Sequence, residues 1–92
     1  MQIVFQWETE VPKNRPIERV EYSMKWDLEH SPLIDADMHA LLRVKMYSDQ
    51  LLNNVVGVAY DSSDVPRFVS TFSLRNGEGH IYTYEEWQSR KP

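Results

Sequence analysis

The sequence predicts an α+β fold in which one main helix packs on one face of an antiparallel sheet of four to five strands. Apolar and polar residues alternate over several short segments, which is typical of strands with one dry face and one solvated face. A central segment contains mostly good helix formers, and an Asn-Gly pair near the C-terminus predicts a hairpin. An all-β sandwich or barrel is the alternative, and the central segment decides between the two architectures.

Alternation predicts the first two strands. Residues 2–8 form the first, because Ile3, Phe5 and Trp7 fall on one face. The second covers 17–28, where apolar residues alternate with polar and charged neighbours at five positions: Val20, Tyr22, Met24, Trp26 and Leu28. A helix would distribute these five residues around its axis. The alternation also favours antiparallel pairing, since parallel strands are covered on both faces and contain continuous apolar runs.

The central segment permits two interpretations. We predict a helix from Asp35 to about Leu52, because the segment is long and because Ser31-Pro32 and Asp35 are suitable caps. The competing interpretation is a strand over 38–47. Its inward residues would be Met38, Ala40, Leu42, Val44 and Met46.

Three further strands are predicted in the C-terminal half, over residues 55–60, 67–74 and 80–84. Gly57 marks a bulge or a close contact within the first of them. Asn76-Gly77 predicts a hairpin loop between the other two, because such turns require a positive φ. Thr83 and Glu86 have the spacing of a capping box, so Tyr84 to Arg90 is expected to form a short helix.

Composition narrows the classes of function. The 92 residues form one domain, 1–92, with 41% hydrophobic residues and no cysteine, so disulfides are excluded. A net charge of −4 disfavours nonspecific binding to nucleic acids or anionic membranes. No apolar run approaches the ~18–20 residues that span a bilayer, and the N-terminus lacks a signal-peptide pattern. We therefore expect a soluble, cytoplasmic protein.

Motifs for catalysis or cofactor binding are absent from the sequence. There is no cysteine nucleophile and no Gly-x-Ser-x-Gly elbow, and Gly77-Glu78-Gly79 lacks the lysine of a phosphate-binding loop. Asp35, Asp37 and His39 are weak candidates for a metal site, because carboxylates and imidazoles ligate divalent metals. An acidic first helical turn explains them more simply. We therefore predict no cofactor and no metal.

Aromatic side chains supply the best binding candidates, which are Tyr47, Tyr82, Tyr84 and Trp87, together with Arg75 at the hairpin tip. Such side chains often anchor protein interfaces. They either pack under the helix or form an exposed patch. Glu85 and Glu86 argue against a phosphate backbone at this place.

The sequence favours a non-enzymatic interaction protein, acting as an inhibitor, adaptor or assembly subunit. Its partner is expected to be another protein, with a homodimer formed through sheet edges as a further option. Direct binding of nucleic acid or membrane is not expected. The alternative is an enzyme or small-ligand binder with a pocket between sheet and helix, where Tyr22, Asp37 and His39 would converge.

Overall fold

The computed structural model describes residues 3–8, 17–35, 42–49 and 53–90. In this part of the chain, five strands and two helices follow one another. They are β1 (Val4–Trp7), α1 (Ile17–Glu29), β2 (Arg43–Asp49), β3 (Asn54–Tyr60), β4 (Pro66–Ser73), β5 (Gly79–Thr83) and α2 (Tyr84–Arg90). Neither helix in these segments has the length and hydropathy needed to cross a bilayer.

The strands form one mixed sheet in the order β1-β2-β3-β4-β5. The pairs from β2 to β5 are antiparallel, whereas β1 runs parallel to β2. The predicted α+β class is therefore supported, but the prediction of a purely antiparallel sheet is wrong. Two adjacent parallel strands need a crossover connection, and α1 lies within the connection between β1 and β2.

The second predicted strand, over 17–28, is wrong because Ile17–Glu29 is the helix α1. Val20, Met24 and Leu28 recur every four residues and are at most 3% exposed. Tyr22 and Trp26 belong to the same alternating pattern but are 68% and 50% exposed. A helix that packs on a sheet buries only one stripe of side chains, so only three of the five apolar residues are in the core.

The predicted central helix is also wrong where the structure describes it, since Arg43–Asp49 is the strand β2. The competing strand interpretation is confirmed for Leu42, Val44 and Met46, which are at most 2% exposed. The described residues do not include 36–41, which contain Met38 and Ala40, or 50–52. Because α1 forms elsewhere, this strand does not convert the fold to an all-β architecture.

The C-terminal predictions are confirmed within a residue or two. In the β4–β5 hairpin, the Ser73 amide donates to the Glu78 carbonyl oxygen at 2.8 Å. Gly77 has a φ of 75°, in the region that favours glycine. Thr83 caps α2, because its hydroxyl oxygen accepts a hydrogen bond from the Glu86 amide at 3.2 Å.

The core lies between α1 and one face of the sheet, here called the inner face. Its buried residues include Ile3, Val20, Met24, Leu28, Ile34, Leu42, Val44, Met46, Val55, Ala59 and Phe68. A Cβ atom on Gly57 would lie 2.9 Å from Met24 Cε and 3.1 Å from Val44 Cγ1. The prediction of a close contact at Gly57 is confirmed, and the bulge lies between Ala59 and Tyr60 instead.

Alanine substitutions at Met24 and Tyr22 test the helical assignment of α1. Met24→Ala should lower the free energy of unfolding by about 2–5 kcal/mol, because it leaves a cavity in the core. Tyr22→Ala should change it by less than about 0.5 kcal/mol, because that ring is exposed. Urea denaturation measures both. Equal losses at the two positions would contradict the helix, since both side chains would point inward on a strand.

Candidate functional site: the outer face of the sheet

The face of the sheet that points away from α1 is the candidate site and is called the outer face. Successive strand residues point to opposite faces, so the neighbours of the buried core residues lie here. Its members are Arg43, Lys45 and Tyr47 of β2, Val56, Val58 and Tyr60 of β3, Val69 and Thr71 of β4, and His80 and Tyr82 of β5. Most of them are half-buried, whereas Val69 is fully buried.

Tyr47 and Tyr60 form a linked pair on β2 and β3. Their side chains are hydrogen bonded, and Lys45 Nζ lies 5.7 Å from the centre of the Tyr60 ring. Burial raises the pKa of Tyr60 above its ordinary value, and the hydrogen bond with Tyr47 acts in the same direction. The hydroxyl groups of Tyr47 and Tyr60 are therefore linked across β2 and β3.

The α2 helix adds a second aromatic group at the β5 end of the outer face. The Trp87 ring lies 5.6 Å from the Tyr82 ring, and the guanidinium carbon of Arg90 lies 4.8 Å from the Tyr82 ring centre. The cap at Thr83 begins the helix directly after β5, which places Trp87 one turn later. Tyr82 is thus contacted by α2, on the face opposite α1.

The structure brings most of the binding candidates to one side of the sheet. Tyr47 and Tyr82 lie on the outer face. Tyr84 lies near enough to Tyr60 that its charge contributes to the raised pKa of Tyr60. Trp87 joins them through its contact with Tyr82. These aromatic residues are half-buried. Arg75 is exposed in the β4–β5 turn and is not part of this group.

Sequence reasoning missed three exposed or half-exposed aromatic residues. Tyr60 shares the parity of Val56 and Val58, which was a usable signal for its position on the outer face. Tyr22 and Trp26 were predicted to point inward on a strand, yet they are exposed on α1. Their spacing of four residues was the available signal for a second helical stripe.

The cations of the outer face and its border have carboxylate partners. Lys45 Nζ lies 3.4 Å from Glu8 Oε1, and Arg43 is paired with Asp64. Arg67 Nη1 lies 3.8 Å from Asp61 Oδ2. Asp61 and Asp64 belong to the turn between β3 and β4, where Asp61 Oδ1 accepts a hydrogen bond from the Ser63 amide at 2.8 Å. Aromatic rings and balanced charges therefore characterise this surface.

The weak metal candidates gain no support from the described residues. Asp35 is exposed after the end of α1, and Asp37 and His39 lie outside the described residues. Within the described part of the chain, no three histidine, aspartate or glutamate side chains are grouped as metal ligands. Because Asp37 and His39 lie outside the described residues, the predicted pocket that they would form with Tyr22 can be compared with the structure only at Tyr22, which is exposed.

Comparison with known proteins finds no matching family model, no similar curated protein and no similar solved structure. The outer face is the part of the structure where the predicted binding residues converge.

Tyr60 should be the tyrosine whose alkaline titration reports on the outer face. NMR of ζ-carbon-labelled tyrosine should show its pKa above the ordinary value of about 10, and Tyr47→Phe should lower it by removing the hydrogen bond. Because the folded state holds this proton more tightly than the unfolded chain, stability should decline as pH rises from about 10 through the folded pKa.

Tyr22→Phe is the matched control for this titration, because Tyr22 lies on α1 and is exposed. It should leave the Tyr60 titration unchanged. A Tyr60 pKa that does not respond to Tyr47→Phe would contradict the linked tyrosine pair.

Proposed function

We propose that this chain is a protein-interaction module and that the outer face is its contact surface. One observation carries the proposal: the rings of Tyr47, Tyr60, Tyr82 and Trp87 are all partly accessible on one side of a hydrogen-bonded sheet. Tyrosine and tryptophan bury large areas with little loss of side-chain entropy, and they are enriched among residues that dominate binding energy.

The charge pattern supports a protein partner over a nucleic acid. A phosphate backbone is bound by cations that can release its counterions. Here Lys45, Arg43 and Arg67 already have carboxylate partners, and Arg90 lies over Tyr82. The whole chain has a net charge of −4. A mixed, locally neutral surface with an aromatic centre resembles the composition of protein interfaces.

The shape of the surface supports binding as an adaptor, inhibitor or assembly subunit. Tyr47, Tyr60 and Tyr82 stand on β2, β3 and β5 of one hydrogen-bonded sheet, and the strand pairing sets the spacing of their backbones before a partner arrives. Preorganised side chains lose less conformational entropy on binding. Arg43 and Lys45 on this face serve in ion pairs, and Tyr60 is linked to Tyr47, which supports recognition of a partner more than proton transfer.

Capture from a lysate of the source cell, with wild-type chain and two variants as bait, tests the proposal. Tyr47→Ala with Tyr82→Ala should weaken retention of the partner by about 30-fold or more, since one anchoring aromatic contributes about 2 kcal/mol. Tyr22→Ala removes an equally large ring from α1, outside the outer face, and should retain the partner that binds the outer face.

Circular dichroism and melting curves establish that all three baits are folded. Washing at high salt should leave the partner bound, because apolar contacts are not screened. A partner that both variants retain equally would contradict the proposal. Retention of nucleic acid in place of protein would also contradict it.

A further inference from the structure

We propose that the groove between α1 and β5 is a second binding site, which receives a lysine or arginine side chain of a partner protein at Asp27. This site lies on the inner-face side of the sheet, and His80 is the one residue named here that it shares with the outer face. This proposal can therefore be tested independently of the function proposed above.

The groove consists of two adjoining cavities of about 360 and 390 Å³ that share Trp26, Asp27 and Gly79. Toward one end, the wall is formed by Tyr22 of α1 and Phe72 of β4. Toward the other end, the lining residues are His30, Ser31, Pro32, Leu33, His80 and Ile81. Asp27 therefore lines both of these open cavities beside the edge strand β5.

Asp27 is held at this position without a hydrogen bond or an ion pair of its own among the described residues. Burial raises the pKa of its carboxyl group, and the nearby His30 and His80 oppose that effect. A Cβ atom on residue 79 would overlap Asp27 Oδ2, so the carboxylate lies against the backbone of Gly79. A partly desolvated anion with unused hydrogen-bonding capacity has the chemistry to accept a cationic donor.

Aromatic rings stand beside this carboxylate. Trp26 is 50% exposed, and its ring stacks on His30 with centroids 4.1 Å apart and an angle of 15°. Nδ1 of His30 also donates to the Trp26 carbonyl oxygen at 2.8 Å, which fixes the stack. A carboxylate next to an accessible indole attracts an ammonium or guanidinium group by both charge and cation–π interaction. An anionic ligand would be repelled.

The surroundings favour a side chain of a protein over a free small cation. Tyr22, Trp26 and Leu33 are 68%, 50% and 49% exposed, and they extend the apolar lining on both sides of Asp27. Lysine and arginine have long apolar stems that cover such surfaces while the charged end reaches a carboxylate. β5 is an edge strand of the sheet, so an extended segment can lie along the groove.

NMR titration of the ¹⁵N-labelled chain with the blocked tripeptide acetyl-Leu-Lys-Leu-amide tests the proposal. Saturable shifts should appear at the Trp26 indole N–H and the Gly79 amide. Acetyl-Leu-Gln-Leu-amide should bind at least about tenfold more weakly, because it lacks the charge. Butylammonium alone should also bind more weakly than the lysine peptide, because it lacks the apolar neighbours.

Two variants complete the test. Asp27→Asn is isosteric and should weaken the lysine peptide at least about tenfold while raising the melting temperature, since it removes a desolvated charge without a partner. Tyr47→Ala with Tyr82→Ala alters only the outer face and should bind the peptide like wild type.

Four results would overturn the proposal. The first is equal binding of the lysine and glutamine peptides, or no saturable binding of either. The second is undiminished binding by Asp27→Asn. The third is a lower melting temperature of Asp27→Asn, which would show that the carboxylate supports the fold. Butylammonium that binds as tightly as the peptide would assign the site to small cations instead of a protein partner.

Discussion

The packing of α1 on the sheet through Met24 is the contact on which the rest of the structure depends. Met24 is fully buried, and its methyl group lies where a side chain on Gly57 would have to fit. The missing side chain at this position makes room for the Met24 side chain against β3, while α1 itself lies beside β4 and β5 and within the connection between the parallel strands β1 and β2. This packing places the inner face of the sheet in the core, and α1 does not cover the outer face.

Two surfaces of different chemistry result from this arrangement. On the outer face, tyrosines stand among cations that are already neutralised by carboxylates. In the groove beside α1, the partly buried carboxylate of Asp27 lies near His30 and His80, and the exposed rings of Tyr22 and Trp26 line the same groove. The proposed sites therefore select different partners. A chain that binds through both would connect two proteins from opposite sides of the sheet, as an adaptor does.

The candidate site was partly predictable because it lies on elements that short-range sequence patterns predicted correctly. The alternation near β5, the hairpin at Gly77 and the cap at Thr83 are determined by short-range backbone chemistry, and they place Tyr82 and Trp87 correctly relative to each other. The groove was not predictable in this way. It exists because Trp26 lies on a helix and not on a strand, and because that helix packs next to β5.

The sequence by itself determined the strands of the C-terminal half, their hairpin and the terminal helix, because each of these depends on turn chemistry or on a clear two-residue period. Tertiary structure decided which of two ambiguous segments became the helix. In α1, the apolar pattern fits both a two-residue and a four-residue period, and burial of Val20, Met24 and Leu28 against the sheet selects the helix. The segment of Val44 and Met46 instead forms the strand β2. A strand between β1 and β3 satisfies the backbone hydrogen-bonding groups of these residues and buries both side chains in the core.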